Sequence, residues 1–160
     1  MRRISLVRFL LVLVLPDLLA ASAAGPEEQA LPPGAAKDTV IKVCTACHGP
    51  ARFRRLRLAA GNWSDTVDDM VDRGAQATPE QIEAIVAYLA ANFGPESKVL
   101  VNSAPLEELK HVLGLTTEEA SAIIAYRREH GPFRAWTDLL NVPGLDRKKI
   151  EAKKDTLAFS

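Results

Sequence analysis

The run LEELKHVLGLTTEEASAIIAYRREHGPFRAWTDLLNVPGLDRKKIEAKK, residues 106–154, reads as helix, tight turn, helix, written twice. The pattern predicts helices over 105–112 and 118–130 around a turn at Gly114. After Gly131-Pro132-Phe133 it predicts helices over 137–141 and 147–154 around a turn at Gly144. Leu106, Leu109, Leu113, Ile123, Ile124, Leu139, Leu145 and Ile150 fall at helical spacing and suffice for a small core of their own. The fold class expected from this is all-α.

Upstream, Gly94 to Ser97 (GPES) reads as a linker, and a second helical pattern precedes it. In KDTVIKVCTACHG, Val40, Ile41, Cys44 and Cys47 recur at helical spacing, which predicts a short helix ending at Gly49-Pro50 with both cysteines on its buried side. An irregular basic loop follows over 51–61, then a helix over 64–73 with Trp63, Val67, Met70 and Val71 on one side. Thr78, Pro79 and Gln81 spell an N-cap, a first helical residue and a capping box, starting a third helix with Ile82, Ile85, Leu89 and Phe93 as its stripe. Three short helices over 37–93 have a small apolar inventory, and such a unit needs a staple or a large apolar insert.

The first 23 residues read as an export signal: Arg2, Arg3 and Arg8, an apolar run, then Ala21-Ser22-Ala23 as a cleavage site. A membrane anchor is the competing reading, but Pro16 and Asp17 interrupt a run far shorter than the roughly 20 residues of a spanning helix. Cleavage takes the 20 basic and 20 acidic residues to 17 and 19, so no net field draws the chain to nucleic acid. The expected organisation is a signal peptide at 1–23, a flexible leader at 24–36, a first helical domain at 37–94 and a hairpin domain at 99–159, in a periplasmic protein with no membrane span.

Export would place Cys44 and Cys47 where free thiols oxidise. C-x-x-C-H is the haem-attachment signature, because two cysteines on one helical turn reach both vinyl groups of one haem edge while the next residue projects toward the iron. Cys44 and Cys47 are the candidate covalent attachments of one haem c, and His48 the candidate proximal ligand. A redox dithiol would need a preceding strand, zinc would need further ligands, and a disulfide across two residues would close too short a loop to stabilise much. Arg52 and Arg54, with Arg55 and Arg57, are candidate propionate partners, the competing reading being a solvated basic loop. Trp63 is a candidate propionate donor or an aromatic wall.

CTACHG, W…TVDDMVDRGA and TPEQIEAIVAYLAANFG together resemble small class-I cytochromes c over 37–94. That resemblance implies a distal methionine thioether, and Met70 is the only methionine left after cleavage. Met70 as core filler is the competing reading, and His111 and His130 are alternative ligands only if the second unit folds over the haem. VN-A…LEEL, AIIAYRREHGPF and DLLNVPGL resemble the tandem helix-hairpin-helix module of bacterial competence DNA receptors over 99–159. In DNA-binding members the hairpins read Gly-apolar-Gly, letting turn amides approach a phosphate. Here they read Gly114-Leu115-Thr116 and Gly144-Leu145-Asp146, and residues 98–160 hold ten basic against nine acidic side chains.

The expectation is therefore an exported monohaem cytochrome c, an electron-transfer protein and not an enzyme. It would carry single electrons from a periplasmic dehydrogenase to a cytochrome or oxidase, with the hairpin module positioning it. The alternative is a periplasmic DNA-binding or DNA-uptake protein whose haem is structural or redox-sensing.

Overall fold

The computed structural model describes residues 30–159; the expected signal segment and residues 24–29 of the expected leader lie outside them. The chain is mostly helical, and its buried apolar side chains gather in two clusters, one per half. Helix α1, Lys37–Cys44, is shorter than its periodicity predicts. Thr45 ends it by turning both its N–H (3.2 Å) and its hydroxyl (2.6 Å) onto the Ile41 carbonyl. Cys47 and His48 therefore lie in the turn beyond the helix, and Cys47 is exposed, not buried. The basic segment expected as irregular contains a single helical turn, α2, Ala51–Arg54.

Helix α3, Ala60–Asp72, begins four residues before its expected start and packs on α4, Pro79–Phe93. The capping box expected of Thr78 and Gln81 is formed in both directions. Within residues 30–36, expected as part of a flexible leader, Leu31, Pro32 and Ala36 are instead buried: Leu31 is 4% exposed within the first cluster, and the Tyr88 hydroxyl donates to the Pro32 carbonyl at 2.5 Å. Gly34 permits that approach, since a Cβ there would sit 2.9 Å from the Tyr88 ring. Proline and small residues look the same in sequence whether or not a tyrosine on a distant helix, here Tyr88 of α4, packs against them.

The hairpin half comprises α5, Leu106–Leu113, α6, Thr117–His130, a 3-10 helix, Trp136–Asn141, and α7, Arg147–Lys153. Two short strands that the helical pattern did not reveal close it: β1, Val99–Leu100, pairs in parallel with β2, Leu157–Ala158. Asn102 reinforces this closure, donating to the Phe133 (2.9 Å) and Phe159 (3.2 Å) carbonyls and accepting from the Phe133 N–H (2.8 Å). Arg127, buried on α6, donates to the Val101 and Ala104 carbonyls at 2.6 and 3.0 Å.

A buried charge cluster joins the halves. Arg54 Nε donates to Glu108 Oε2 at 2.9 Å and Arg57 Nη2 to Glu108 Oε1 at 2.8 Å, with Arg54 and Glu108 side chains 1% and 2% exposed. Arg54 also donates to the Ala30 carbonyl. Removing one partner of such a buried cluster strands a charge and costs about 3–5 kcal/mol.

Gly114 and Gly144 adopt φ of +69° and +77° at the two hairpin turns. Each Gly→Ala change there should lower stability by about 1–2 kcal/mol in urea denaturation, since a Cβ is disfavoured in the left-handed region. Gly61, helical within α3 with open space around a built Cβ, should gain about 0.5–1 kcal/mol as alanine. Equal effects at all three positions would contradict the assigned turns.

Candidate functional site

A cavity of about 470 Å³ opens in the first half, and the candidate side chains meet there. The end of α1 and its turn contribute Cys44, Cys47 and His48, α3 contributes Met70 with Val67 and Trp63, and α4 contributes Ile85 and Leu89. Phe53 and Leu56 add apolar wall, while Arg52, Arg55 and Arg73 also line it. Burial pushes the Cys44 thiol above its ordinary pKa. His48 Nδ1 lies 3.2 Å from the Gly49 carbonyl, which can only accept, so Nδ1 is the donor of this contact. Two thiols, an imidazole nitrogen and a thioether around one mostly apolar cavity fit a covalently held haem.

Two expected propionate contacts do not hold. Arg54 is not among the cavity residues; its guanidinium is engaged with Glu108 at the seam. Trp63 donates its indole N–H to the Phe93 carbonyl at 3.1 Å, leaving the ring as wall. Of the four expected guanidiniums Arg52 and Arg55 line the cavity and Arg54 and Arg57 do not; Arg73, which the sequence did not single out, lines it as well. His111 and His130 are exposed on α5 and α6 and do not line the cavity. Among the described residues no group of three or more His, Cys, Asp or Glu side chains could hold a metal ion.

The second feature is the pair of hairpin tips. Where the second glycine is missing, the substituted residue caps the next helix: the Thr116 hydroxyl accepts from the Glu119 N–H at 3.2 Å, and the Asp146 carboxylate accepts from the Lys148 N–H at 2.9 Å. Glu119 then ties the tips together. Its carboxylate accepts from the Thr116 N–H (2.7 Å), the Asp146 N–H (3.2 Å) and the Lys149 ammonium (2.8 Å), and the Lys149 hydrogen bond leads the interactions that hold its pKa below the usual carboxylate range. These two amides are therefore already used by Glu119. Arg147 and Lys148 are exposed beside the Gly144 turn, with Lys153 and Lys154 farther along. Sequence reasoning missed Glu119, although Thr116 followed three residues later by glutamate is a capping-box signal.

Thiol chemistry checks the cavity geometry. In the chain without haem, maleimide should modify exposed Cys47 first, and Cys44 should lag until the pH rises above the ordinary thiol range, because its raised pKa leaves less thiolate at any given pH. Mass mapping across a pH series reads both rates; equal rates at neutral pH would contradict the burial of Cys44.

Residues 94–158 match the helix-hairpin-helix motif family. The chain is 41% identical over 59 residues to endonuclease/exonuclease/phosphatase family domain-containing protein 1 of Rattus norvegicus, covering 37% of this chain and 10% of that one. It is 39% identical over 64 residues to ComE operon protein 1 of Bacillus subtilis, covering 40% of this chain and 31% of that one. The matches thus span about a tenth and about a third of those proteins' own lengths. A Haemophilus influenzae protein, described as uncharacterized, is 30% identical over 89 residues, covering 52% of this chain and 80% of that one. No solved structure matches.

These findings overturn the electron-carrier reading, with its dehydrogenase donor and its cytochrome or oxidase acceptor. The matched family is that of the hairpins, and none of the relatives named is described as a cytochrome. A near-neutral net charge and two missing glycines argue against nucleic acid in the sequence, but both turns keep their left-handed glycine and the replacing residues serve as helix caps. With four fifths of the Haemophilus influenzae protein covered at 30% identity, the chain belongs to that protein's family and carries a helix-hairpin-helix motif over residues 94–158.

Proposed function

We propose that the chain is an exported DNA-binding protein in which the hairpin unit contacts phosphates and the first unit holds one haem c. The observation that carries this reading is the helix-hairpin-helix match over 94–158 together with two left-handed glycine turns, the second of them beside exposed cations. The likeness to bacterial competence DNA receptors supports it and suggests a place in DNA uptake. With the Thr116 and Asp146 amides committed to Glu119, contact rests on Arg147 and Lys148 at the tip and on Lys153 and Lys154 behind it. Side-chain cations on the phosphate backbone give binding with little sequence preference and strong salt dependence. In this reading the chain binds and does not turn over a substrate. No helix among the described residues is long and apolar enough to cross a membrane.

Cys44 and Cys47 would hold the haem by thioethers, and His48 and Met70 would offer its iron a nitrogen and a sulfur donor. When bound, the group supplies a large apolar surface and a redox-active iron, suiting a structural or redox-sensing role. The apolar walls of Val67, Ile85 and Leu89 would exclude water from it, and Arg52, Arg55 and Arg73, which line the same cavity, would be available to its acidic groups.

Fluorescence anisotropy with duplex DNA across a salt series tests the DNA reading. Affinity should fall linearly on a log–log plot, and Arg147→Ala with Lys148→Ala should weaken binding on every sequence and lower the slope by about 2. No binding at low salt sinks it. Expression with a haem-maturation system tests the first unit separately: the mature chain should gain one covalently bound haem, and Cys44→Ala with Cys47→Ala should carry none.

A further inference from the structure

The segment 51–57 has two working faces. Arg52, Phe53, Arg55 and Leu56 line the cavity, whereas Arg54 and Arg57 turn the other way, onto Glu108 of α5. Arg57 is held on every side. Its Nη1 donates to the Arg54 and Leu56 carbonyls at 2.8 Å each, its Nε donates to the Ser97 carbonyl at 3.2 Å, and its guanidinium lies 5.8 Å over the Phe93 ring. Phe53 meets the same ring edge-on, with centroids 5.9 Å apart. Glu108 sits on the helix that runs directly into the Gly114 turn. One wall of the cavity therefore cannot shift without moving a carboxylate anchored in the first hairpin.

We propose that Glu108, gripped by Arg54 and Arg57, couples the cavity to the hairpin unit, so that opening or filling the cavity alters phosphate binding at the tips, and DNA at the tips alters access to the cavity. Coupling between two binding sites is reciprocal, so it can be read from either end. Duplex DNA as the ligand at the tips rests on the function proposed above; the clamp itself does not, nor does it depend on what fills the cavity.

The test uses the full chain produced without haem maturation and carrying Cys47→Ser, so that the cavity-lining Cys44 is the only thiol. Its alkylation by N-ethylmaleimide is timed with and without saturating duplex DNA at low salt, in the parent and in Glu108→Gln and Arg57→Gln. DNA should change the parent's rate by at least about 5-fold, and both substitutions should raise the DNA-free rate several-fold while bringing the DNA response within about twofold. Only variants whose helical circular dichroism matches the parent are counted. Arg57→Gln, which leaves the Arg54 and Glu108 pair in place, keeps the test open should Glu108→Gln fail to fold. Parent-like DNA-free rates in the folded variants, or a parent indifferent to DNA that it demonstrably binds, would overturn the coupling. A parent that binds no DNA at all would remove the DNA reading alone, and the variants' DNA-free rates would still decide the clamp.

Discussion

A carboxylate with almost no solvent, Glu108, sits between two guanidiniums from the other half of the chain, and the arrangement of the halves follows from it. Charges cannot remain buried unless their hydrogen bonds are satisfied, so this seam tolerates little sliding. Burial works against the Arg54 charge and lowers its pKa from the ordinary value, with the Glu108 carboxylate opposing that shift. The cluster fixes where the segment 51–57 lies, and that segment supplies Phe53 and Leu56 to the cavity. A surface pair would not do this, since exposed ion pairs contribute at most about 1 kcal/mol and leave both side chains mobile.

The same economy of charge shapes the hairpin tips. Glu119 satisfies the Thr116 and Asp146 amides and the Lys149 ammonium at once, holding two sequence-distant turns together. A tip built this way is rigid, and its outer cations are then its means of reaching an anionic polymer. Such a surface suits a protein that retains DNA without reading its sequence, with affinity set by the number of phosphates neutralised.

Local signals were legible in the sequence. Thr78 and Gln81 formed the capping box their spacing predicts, both hairpin glycines took the left-handed turn, and Cys44, Cys47, His48 and Met70 came together around one cavity. What failed depended on distant partners. Arg54 was assigned to a cofactor because nothing near it in sequence announces Glu108, 54 residues away. Trp63 gave its N–H to a carbonyl 30 residues on, and residues 30–36 looked unstructured because Tyr88, which covers them, belongs to another helix. The two-residue strands are too short to show alternation. The functional reading failed for a related reason: C-x-x-C-H is a compact local motif and took precedence over a hairpin pattern whose glycine departures become intelligible only when Thr116 and Asp146 are seen as caps.

The central claim is that the hairpin tips are the DNA-binding surface, and an NMR titration of the isotopically labelled chain with a short duplex at low salt tests it most directly. Amide shifts should concentrate at Gly114, Gly144, Arg147 and Lys148, diminish with distance along α6, and reverse on adding salt. Shifts that gather instead around the cavity, or a spectrum unchanged by DNA, would contradict the account.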